Sequence, residues 1–366
     1  MSSVRSGLDG IVVADTELSD VDGERGHLVI RGCDIEDLVG RVTFEDVCGL
    51  LWSGRLPSAT EREELRAQIA AARGEAFARL SSLGGALELP DGMDALRAAL
   101  AHLSASGDVP GDAHLLTGAT AVFAAAWARR QRDQLPVEPD RSMSHAADYL
   151  HMIAGAPPPA AHVQGVDAYL CCVADHGLNA STLAARVVAS TGSDMVSAVV
   201  AGVGALKGPL HGGAPGPVLD MLDAIGDPGR TRQWLAEQIA SGRRIMGMGH
   251  RVYRVRDPRA AALERAAARL AAAGGAGTRL AFAAVVEREA ETLLAERHPE
   301  RNLRANVEFY TAVLLEAAGI PRALFSPTFA ASRVAGWCAH YDEQRRRGRL
   351  MRPLSNYIGP RPMPGT

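Results

Sequence analysis

The chain has 366 residues, of which 39 are Lys or Arg and 42 are Asp or Glu, so its formal net charge at pH 7 is −3 with histidine neutral. A charge so close to zero gives no overall positive field, which excludes a protein that binds nucleic acid through its global charge. With 47% hydrophobic and 22% charged residues, the composition excludes disordered and collagen-like chains. The length predicts two domains, or one large fold with a subdomain.

The sequence carries no targeting or membrane pattern. Its N-terminal segment, MSSVRSGLDG, lacks the apolar core of a secretory signal, and no run of about 18 uninterrupted apolar residues occurs. The 5 cysteines are scattered, with no C-x-x-C pair and no histidine at metal-ligand spacing. We therefore expect a cytoplasmic protein with no membrane partner and no metal site.

The first predicted element is a β-hairpin within residues 10–31. Two short β-prone runs flank residues 22–26, which read Asp-Gly-Glu-Arg-Gly and are typical of a turn. Helical patterns dominate after this point. Because no strand alternates with a helix, the sequence argues against a doubly wound sheet and favours an all-α fold with a small N-terminal hairpin.

Helices are predicted where apolar residues recur at helical spacing. The first, at residues 44–52, follows Thr43, whose side chain is a candidate N-cap. Further helices are predicted at residues 60–80, 93–104, 116–130 and 144–154. The proline-containing segments 131–142 and 156–161 are expected to be surface loops.

The second half of the chain is also helical in pattern. Residues 166–205 are almost continuously apolar, so these helices are expected to be buried on several sides. A stretch rich in Gly and Pro interrupts the pattern at 208–217. Residues 231–294 are helical again except around 247–259, and the alanine-rich segment 260–272 predicts close packing against neighbouring helices.

Two histidines lie in polar interruptions of this apolar chain. His176 belongs to ADHGLNAST at residues 174–182, and a histidine between buried helices is more often a satisfied core group than a ligand. His211 belongs to LKGPLHGGA at residues 206–214, where flanking glycines allow a ligand or another backbone to approach the imidazole. An ordinary Gly/Pro turn with an incidental histidine explains the second segment equally well.

The segment IMGMGHRVYRVRDPR at residues 245–259 is a local cationic cluster. Four arginines follow His250 and two glycines, although the chain as a whole is acidic. Guanidinium groups bind carboxylate and phosphate bidentately, and glycine amides allow a phosphate or a pantetheine-like chain to come close. The cluster therefore suits a multiply anionic ligand, but no P-loop motif is present.

The last sixty residues add a carboxylate and two arginines. Glu308 lies in NVEFY at residues 306–310, and a carboxylate in an apolar neighbourhood has a raised pKa and can act as a base. Arg333 lies in SRVAGW and Arg352 in the sequence MRP. Taken singly, each of these residues is typical of a surface or an ion pair.

In their order along the chain, these segments resemble the citrate synthase family. The resemblance begins at GLDGIV, residues 7–12, and ends at RPLSNYIGP, residues 352–360, so it covers nearly the whole chain. It is closest to the short dimeric type, either citrate synthase or 2-methylcitrate synthase. It implies an all-α fold with a large domain formed by residues 1–212 and 320–366, a small domain formed by residues 213–319, and closure over the cleft between them.

The resemblance implies that acetyl-CoA, oxaloacetate and water give citrate and CoA. Acyl-CoA is a co-substrate, and no permanently bound cofactor is implied. The matching positions are, for catalysis, His211, His250 and Glu308; for oxaloacetate or citrate, His176, Arg259, Arg333 and Arg352; and for CoA, Arg254, with Arg251, Arg256, Gly247 and Gly249 as further candidates.

Three parts of the reaction follow from this resemblance. Glu308 takes a proton from the methyl carbon of the thioester, and His211 donates a hydrogen bond to the thioester oxygen, because the enolate must be stabilised as it forms. His250 polarises the keto group of oxaloacetate. Arg352 matches an arginine that the family contributes from the other subunit, which implies a homodimer.

One position departs from the family pattern and leaves alternatives open. The usual base is the aspartate of Asn-Val-Asp, whereas Glu308 extends the carboxylate by one methylene, and a displacement of about 1 Å can cost about a hundredfold in rate. Propionyl-CoA is the alternative substrate. A catalytically impaired paralogue that binds CoA esters or dicarboxylates, or a helical oligomer with structural histidines, are the alternatives from other classes.

Overall fold

A small antiparallel sheet opens the fold, and helices form the rest of it. The computed structural model describes residues 6–8, 10–211, 215–250, 252–274 and 277–360. The strands are β1 (Ser19–Asp22), β2 (His27–Ile30) and β3 (Cys33–Asp34), in that order and each antiparallel to its neighbour. The predicted hairpin is confirmed as β1 and β2. The sequence does not indicate β3, because two residues carry no periodicity.

Fifteen α-helices lie in the described residues and confirm the predicted fold class. Their bounds are α1 (Ile35–Leu38), α2 (Phe44–Ser53), α3 (Ala59–Ala78), α4 (Gly92–Leu100), α5 (Val109–Arg130), α6 (His145–Ala154), α7 (Ala160–Val173), α8 (Ala180–Ser190), α9 (Met195–Leu206), α10 (Pro215–Ile225), α11 (Thr231–Ala240), α12 (Pro258–Ala272), α13 (Gly277–Arg297), α14 (Val307–Ala317) and α15 (Phe325–Arg347). None of these helices is long and apolar enough to cross a bilayer.

Capping residues set the helix boundaries. Thr43 and Asp46 form a capping box, in which each side chain accepts a hydrogen bond from the other residue's backbone N–H, so α2 begins where the sequence predicts. Helix α5 begins before the predicted residue 116, because the side chain of Asp108 caps it and Pro110 occupies its first turn.

The long helix α15 lies at the centre of the core. It packs against α2, α5, α7, α8 and α9, and the Trp337 side chain within it is fully buried. Helix α12 packs against α7 and α14, with Ala260, Ala266 and Ala267 buried. Small side chains let helix axes approach closely, so the packing predicted for the alanine-rich segment is confirmed.

The turn between α7 and α8 rests directly on α15. A Cβ atom on Gly336 would lie 2.4 Å from the carbonyl oxygen of Ala174, so only glycine allows this backbone contact. Next to it, Asp175 and His340 share a buried hydrogen bond of 3.2 Å. These contacts hold in place the turn that carries the first histidine of the candidate site.

Candidate active site

Three histidines from distant parts of the sequence come together. The ring centroids of His176 and His250 are 5.8 Å apart. Tyr253 links them, because its hydroxyl lies 3.0 Å from His176 Nε2 and its ring centroid lies 4.8 Å from that of His250. His211 follows α9, and its ring centroid lies 6.4 Å from that of Phe329 on α15.

His250 is held as a neutral donor. Its Nδ1 atom accepts hydrogen bonds from the backbone N–H groups of Val252 and Tyr253 at 3.0 and 3.1 Å. Since these groups can only donate, the imidazole proton resides on Nε2. Burial lowers the pKa of His250 to about 4, and the charge of Arg259 acts in the same direction. Nε2 lies 3.4 Å from Nη2 of Arg259, so the donor of His250 and the guanidinium lie side by side.

His211 has the opposite tautomer. Its Nε2 atom lies 3.3 Å from the backbone N–H of Ser181, which donates to it, and 2.8 Å from the Ser181 hydroxyl. The proton therefore resides on Nδ1, which is the donor atom. Burial lowers the pKa of His211 to about 4, and the charge of Arg333 lowers it further. His211 is thus neutral at pH 7.

A small buried network holds Ser181. Its hydroxyl accepts a hydrogen bond from Trp337 Nε1 at 3.2 Å and lies 2.8 Å from Asn179 Oδ1. Asn179 is the N-cap of α8 and accepts hydrogen bonds from the first backbone N–H groups of that helix. The orientation of His211 is therefore fixed by the packing of α8 against α15.

Arg333 is a buried cation on α15, and the nearby charge of Asp175 compensates it in part. Its side chain is almost fully buried, its Nε donates to the Val173 carbonyl at 2.7 Å, and its guanidinium carbon lies 4.8 Å from the Phe329 ring centroid. No carboxylate in the described part of the chain forms a salt bridge with it. Burial lowers its pKa to about 10, so it remains charged at pH 7. A buried charge without a partner is costly, and this arginine is therefore a strong candidate for binding an anion.

Arg259 is buried as well, but it is paired. It donates to both oxygens of Asp257, at 2.8 and 3.1 Å. Asp257 also accepts a hydrogen bond from the backbone N–H of Val307 at 3.2 Å. One carboxylate thus positions the guanidinium and anchors the first turn of α14.

Glu308 lies in that first turn. Its backbone N–H donates to the Asn306 side chain at 3.0 Å, but within the described ranges its carboxylate accepts no hydrogen bond from the protein. Burial raises the pKa of Glu308 to about 7, although the charges of Arg259 and Arg244 oppose this rise. A carboxyl group with this pKa and no protein partner is suited to accept a proton from a ligand.

Backbone pairing joins the segment of His250 to that of Glu308. The N–H of Asn306 donates to the Gly247 carbonyl at 2.9 Å, and the Asn306 side chain donates to the Gly249 carbonyl at 2.8 Å. Gly247 and Gly249 have φ values of 73° and 81°, which favour glycine. This pairing fixes the distance between the two predicted catalytic groups.

The arginines that were predicted to bind CoA differ in their exposure and in their ion pairs. Arg254 is exposed, and its backbone N–H donates to the Gly23 carbonyl. The guanidinium of Arg256 is engaged by Glu264 at 2.9 Å and Glu287 at 2.8 Å, so its charge is already neutralised. Arg251 lies outside the described residues.

Arg352 is not brought to the other site residues of this chain. It is exposed and lies beyond α15 in a segment without regular secondary structure. Leu354 and Ile358 in the same segment are 95% and 91% exposed, so the segment lies on the surface of this chain.

The sequence analysis missed four residues that shape the site: Ser181, Tyr253, Asp257 and Phe329. Asp257 carried a detectable pattern, since Asp before Pro is typical of a helix N-terminus. Ser181 lies two residues after an N-cap. Nothing local marks Tyr253 or Phe329, because their partners are distant in sequence.

The described residues contain no group of three or more His, Cys, Asp or Glu side chains that could hold a metal ion.

Comparison with known proteins identifies similar chains over the full length. The family model described as citrate synthase, C-terminal domain, matches residues 7–354. A putative citrate synthase 2 of Mycobacterium tuberculosis is 40% identical, and the match covers 97% of this chain and 93% of that protein. A 2-methylcitrate synthase of the same organism is 37% identical, over 99% of this chain and 93% of that protein.

A solved structure is similar as well. Citrate synthase of Thermoplasma acidophilum, in a ternary complex with carboxymethyl coenzyme A and oxaloacetate, has a TM-score of 0.88 and 26% identity. The match covers 100% of this chain and 98% of that one. At these identities the citrate and 2-methylcitrate relatives are similarly close, so the comparisons do not separate the two activities.

Glu308 gives the site a testable effect of pH on stability. Its pKa is raised to about 7 in the folded protein, so the folded state binds more protons than the unfolded state between the two pKa values. The free energy of unfolding of the parent should therefore fall, relative to that of Glu308→Gln, as the pH rises from about 5 to about 8. Urea unfolding of the parent and of Glu308→Gln at these pH values measures this difference in the free energy of unfolding.

The matched control is Glu64→Gln, which changes an exposed glutamate on α3. The difference in the free energy of unfolding between the parent and Glu64→Gln should not change in this way between pH 5 and pH 8. A difference between the parent and Glu308→Gln that is the same at both pH values would contradict the raised pKa.

Proposed function

Because the chain belongs to the citrate synthase family, we propose that it is an acyltransferase that condenses acetyl-CoA with oxaloacetate and water to give citrate and CoA. The observation that carries the proposal is the buried charge of Arg333, which forms no salt bridge within the described residues, near the neutral His176 and His211. Such a site stabilises a small anion with several carboxylates and a keto oxygen. The related structure with oxaloacetate and carboxymethyl coenzyme A supports both ligands.

Oxaloacetate binds first in this mechanism. Arg259, Arg333 and His176 hold its carboxylates, since guanidinium groups form the strongest hydrogen bonds to carboxylate. His250 Nε2 donates to the keto oxygen and makes the keto carbon more electrophilic. A neutral imidazole is sufficient for this, because the adjacent guanidinium of Arg259 supplies the positive charge.

The acyl-CoA is then activated between two groups. Glu308 accepts a proton from the methyl carbon, while Nδ1–H of His211 donates a hydrogen bond to the thioester oxygen. That hydrogen bond lowers the energy of the enolate, whose parent carbon acid is far weaker than a carboxylic acid. The enolate carbon attacks the keto carbon, the keto oxygen takes up a proton, and water hydrolyses the citryl thioester to citrate and CoA.

Two segments remain to be assigned to CoA and to the partner subunit. Arg254 is the proposed contact to CoA because it is exposed next to the loop of His250. Arg256 is a weaker choice, since two glutamates already neutralise it. Because Arg352 does not reach the site of its own chain, we assign it to the site of the partner subunit in a homodimer.

The predicted site residues are divided between the two proposed domains. Residues 1–212 and 320–366 carry His176, His211, Arg333 and Arg352, and residues 213–319 carry the other predicted groups. The first boundary lies outside the described residues. Oxaloacetate contacts both parts, so its binding favours closure of one over the other.

The reaction itself is the first test. We expect the protein to release free thiol from acetyl-CoA or propionyl-CoA only when oxaloacetate is present, and the ratio of the two rates identifies the acyl group. Glu308→Gln should abolish this release and leave oxaloacetate affinity nearly unchanged in calorimetry, because arginines and histidines hold that ligand. Glu308→Asp should be about ten to a hundred times slower in a site adapted to glutamate.

Other outcomes discriminate between the alternatives. If no thiol is released with either acetyl-CoA or propionyl-CoA, the result would favour a binding protein for CoA esters or dicarboxylates. A much faster Glu308→Asp variant would indicate a degraded site, and full activity in Glu308→Gln would show that Glu308 is not the base.

Arg333 is expected to strengthen oxaloacetate binding and to lower the stability of the ligand-free protein. Arg333→Met should weaken oxaloacetate binding by about a hundredfold or more. In the absence of ligand its free energy of unfolding should be unchanged or higher than that of the parent, because an unpaired buried charge is removed. Calorimetry and urea unfolding measure the two effects.

Arg73 provides the matched control. It is also fully buried, but it forms a salt bridge of 2.5 Å with the buried Asp148. Arg73→Met should therefore lower the free energy of unfolding by about 3–5 kcal/mol. The assignment of Arg333 fails if Arg333→Met binds oxaloacetate as the parent does.

The role of Arg352 across subunits can be tested by complementation. Arg352→Ala and Glu308→Gln should each be inactive alone. A heterodimer of the two has one site that combines an intact Glu308 with Arg352 of the partner subunit. Mixing unfolded chains in equal amounts and refolding them together should restore about a quarter of the parent activity. No recovery of thiol release would mean that Arg352 does not act in trans.

A further inference from the structure

The N-terminal hairpin contacts both segments that carry the histidines of the oxaloacetate site. At its base, the Ser19 hydroxyl donates to Asp175 at 2.5 Å and accepts a hydrogen bond from the Gly177 N–H at 2.8 Å. These two residues flank His176. Strand β1 is therefore attached directly to the turn on which His176 lies.

The tip of the hairpin contacts the loop that follows His250. The Gly23 carbonyl accepts a hydrogen bond from the Arg254 N–H at 2.8 Å. A Cβ atom on Gly23 would lie 2.3 Å from the carbonyl oxygen of Val252, and one on Gly26 would lie 2.6 Å from a methyl group of Val255. Real Cβ atoms do not come so close, so both contacts require glycine.

This contact lies next to the groups that orient His250. The N–H groups of Val252 and Tyr253 set the tautomer of His250, and Gly23 packs on the same short stretch of backbone. A shift of that stretch would move both amides away from Nδ1.

The hairpin is built to be stiff. The side chain of Asp22 accepts hydrogen bonds from the N–H groups of Glu24 and Arg25 at 3.1 and 2.9 Å. The Asp22 carbonyl accepts another from the Gly26 N–H at 2.9 Å. Three hydrogen bonds to one residue close the turn between β1 and β2, so its tip keeps a fixed position relative to its base.

We propose that this hairpin is a positioning element, here called the hairpin clamp (residues 19–30), which sets the placement of His250 relative to His176. Its base is fixed on one histidine segment and its tip holds the other. The inference rests on the proposed function in one respect, namely that both histidines bind oxaloacetate. None of the clamp residues touches the substrate in this proposal.

Gly23→Ala tests the clamp directly. The added methyl group must displace the backbone at Val252, because the atom that it meets is a carbonyl oxygen. We expect faster hydrogen exchange of the amides of residues 252–254, a KM for oxaloacetate at least about ten times higher, and a lower kcat, because His250 also polarises the keto group in the proposed reaction. Glu24→Ala, at the exposed neighbouring position, should change none of these quantities.

A second set of variants keeps the test valid if Gly23→Ala does not fold. Gly26 and Gly32 both have positive φ values, 71° and 82°, but a Cβ atom on Gly32 would meet nothing within 4 Å. Gly26→Ala should therefore raise the KM for oxaloacetate, and Gly32→Ala, which suffers only the backbone strain, should not. Adding Val255→Ala to Gly26→Ala removes the obstructing methyl group and should restore most of the parent KM.

The outcomes separate the clamp from the proposed reaction. The parent could release no thiol while Gly23→Ala still accelerates hydrogen exchange of the amides at residues 252–254. In that case the proposed reaction is wrong and the hairpin clamp is supported. If exchange and KM are unchanged in both Gly23→Ala and Gly26→Ala, the clamp is wrong whatever the reaction. Equal effects of Gly26→Ala and Gly32→Ala, without rescue by Val255→Ala, would also overturn it.

Discussion

The buried positive charge of Arg333 is the constraint around which the site is organised. A guanidinium that is removed from water and forms no salt bridge, as is the case for Arg333 within the described residues, destabilises the ligand-free protein. The charge of Asp175 and the Val173 carbonyl offset part of this cost, whereas Arg259 adds a second positive charge that is paired with Asp257. In the proposed function, a bound anion offsets the free-energy cost of burying this charge.

The neutral histidines follow from the same constraint. Burial and the two arginines lower the pKa values of His176, His211 and His250. Backbone N–H groups then decide which ring nitrogen keeps the proton. The donors are consequently Nδ1 on His211 and Nε2 on His250, as the proposed roles of these two histidines require.

Glu308 depends on the same electrostatic environment. Burial raises its pKa to about 7, which makes it a stronger base than a solvated carboxylate, whereas the arginines prevent a larger rise. Its position at the first turn of α14 is fixed through Asn306 and Asp257, which connect that helix to the loop of His250. The extra methylene relative to the aspartate of the family therefore extends from a backbone that is already held in place.

Local sequence patterns predicted the N-terminal hairpin and most of the helices, because caps, periodicity and turns depend on neighbours a few positions away. The candidate site residues came instead from the resemblance of the ordered motifs to a family. Thr43 marks a helix start, and residues 22–26 mark a turn, without reference to the rest of the chain. Tertiary packing gives Arg256 two salt bridges and leaves Arg333 with none among the described residues. It also sets which nitrogen of His211 is protonated and brings Gly23 against Val252. Burial and partner choice depend on segments that are far apart in sequence and meet only when the helices pack, so no local pattern encodes them.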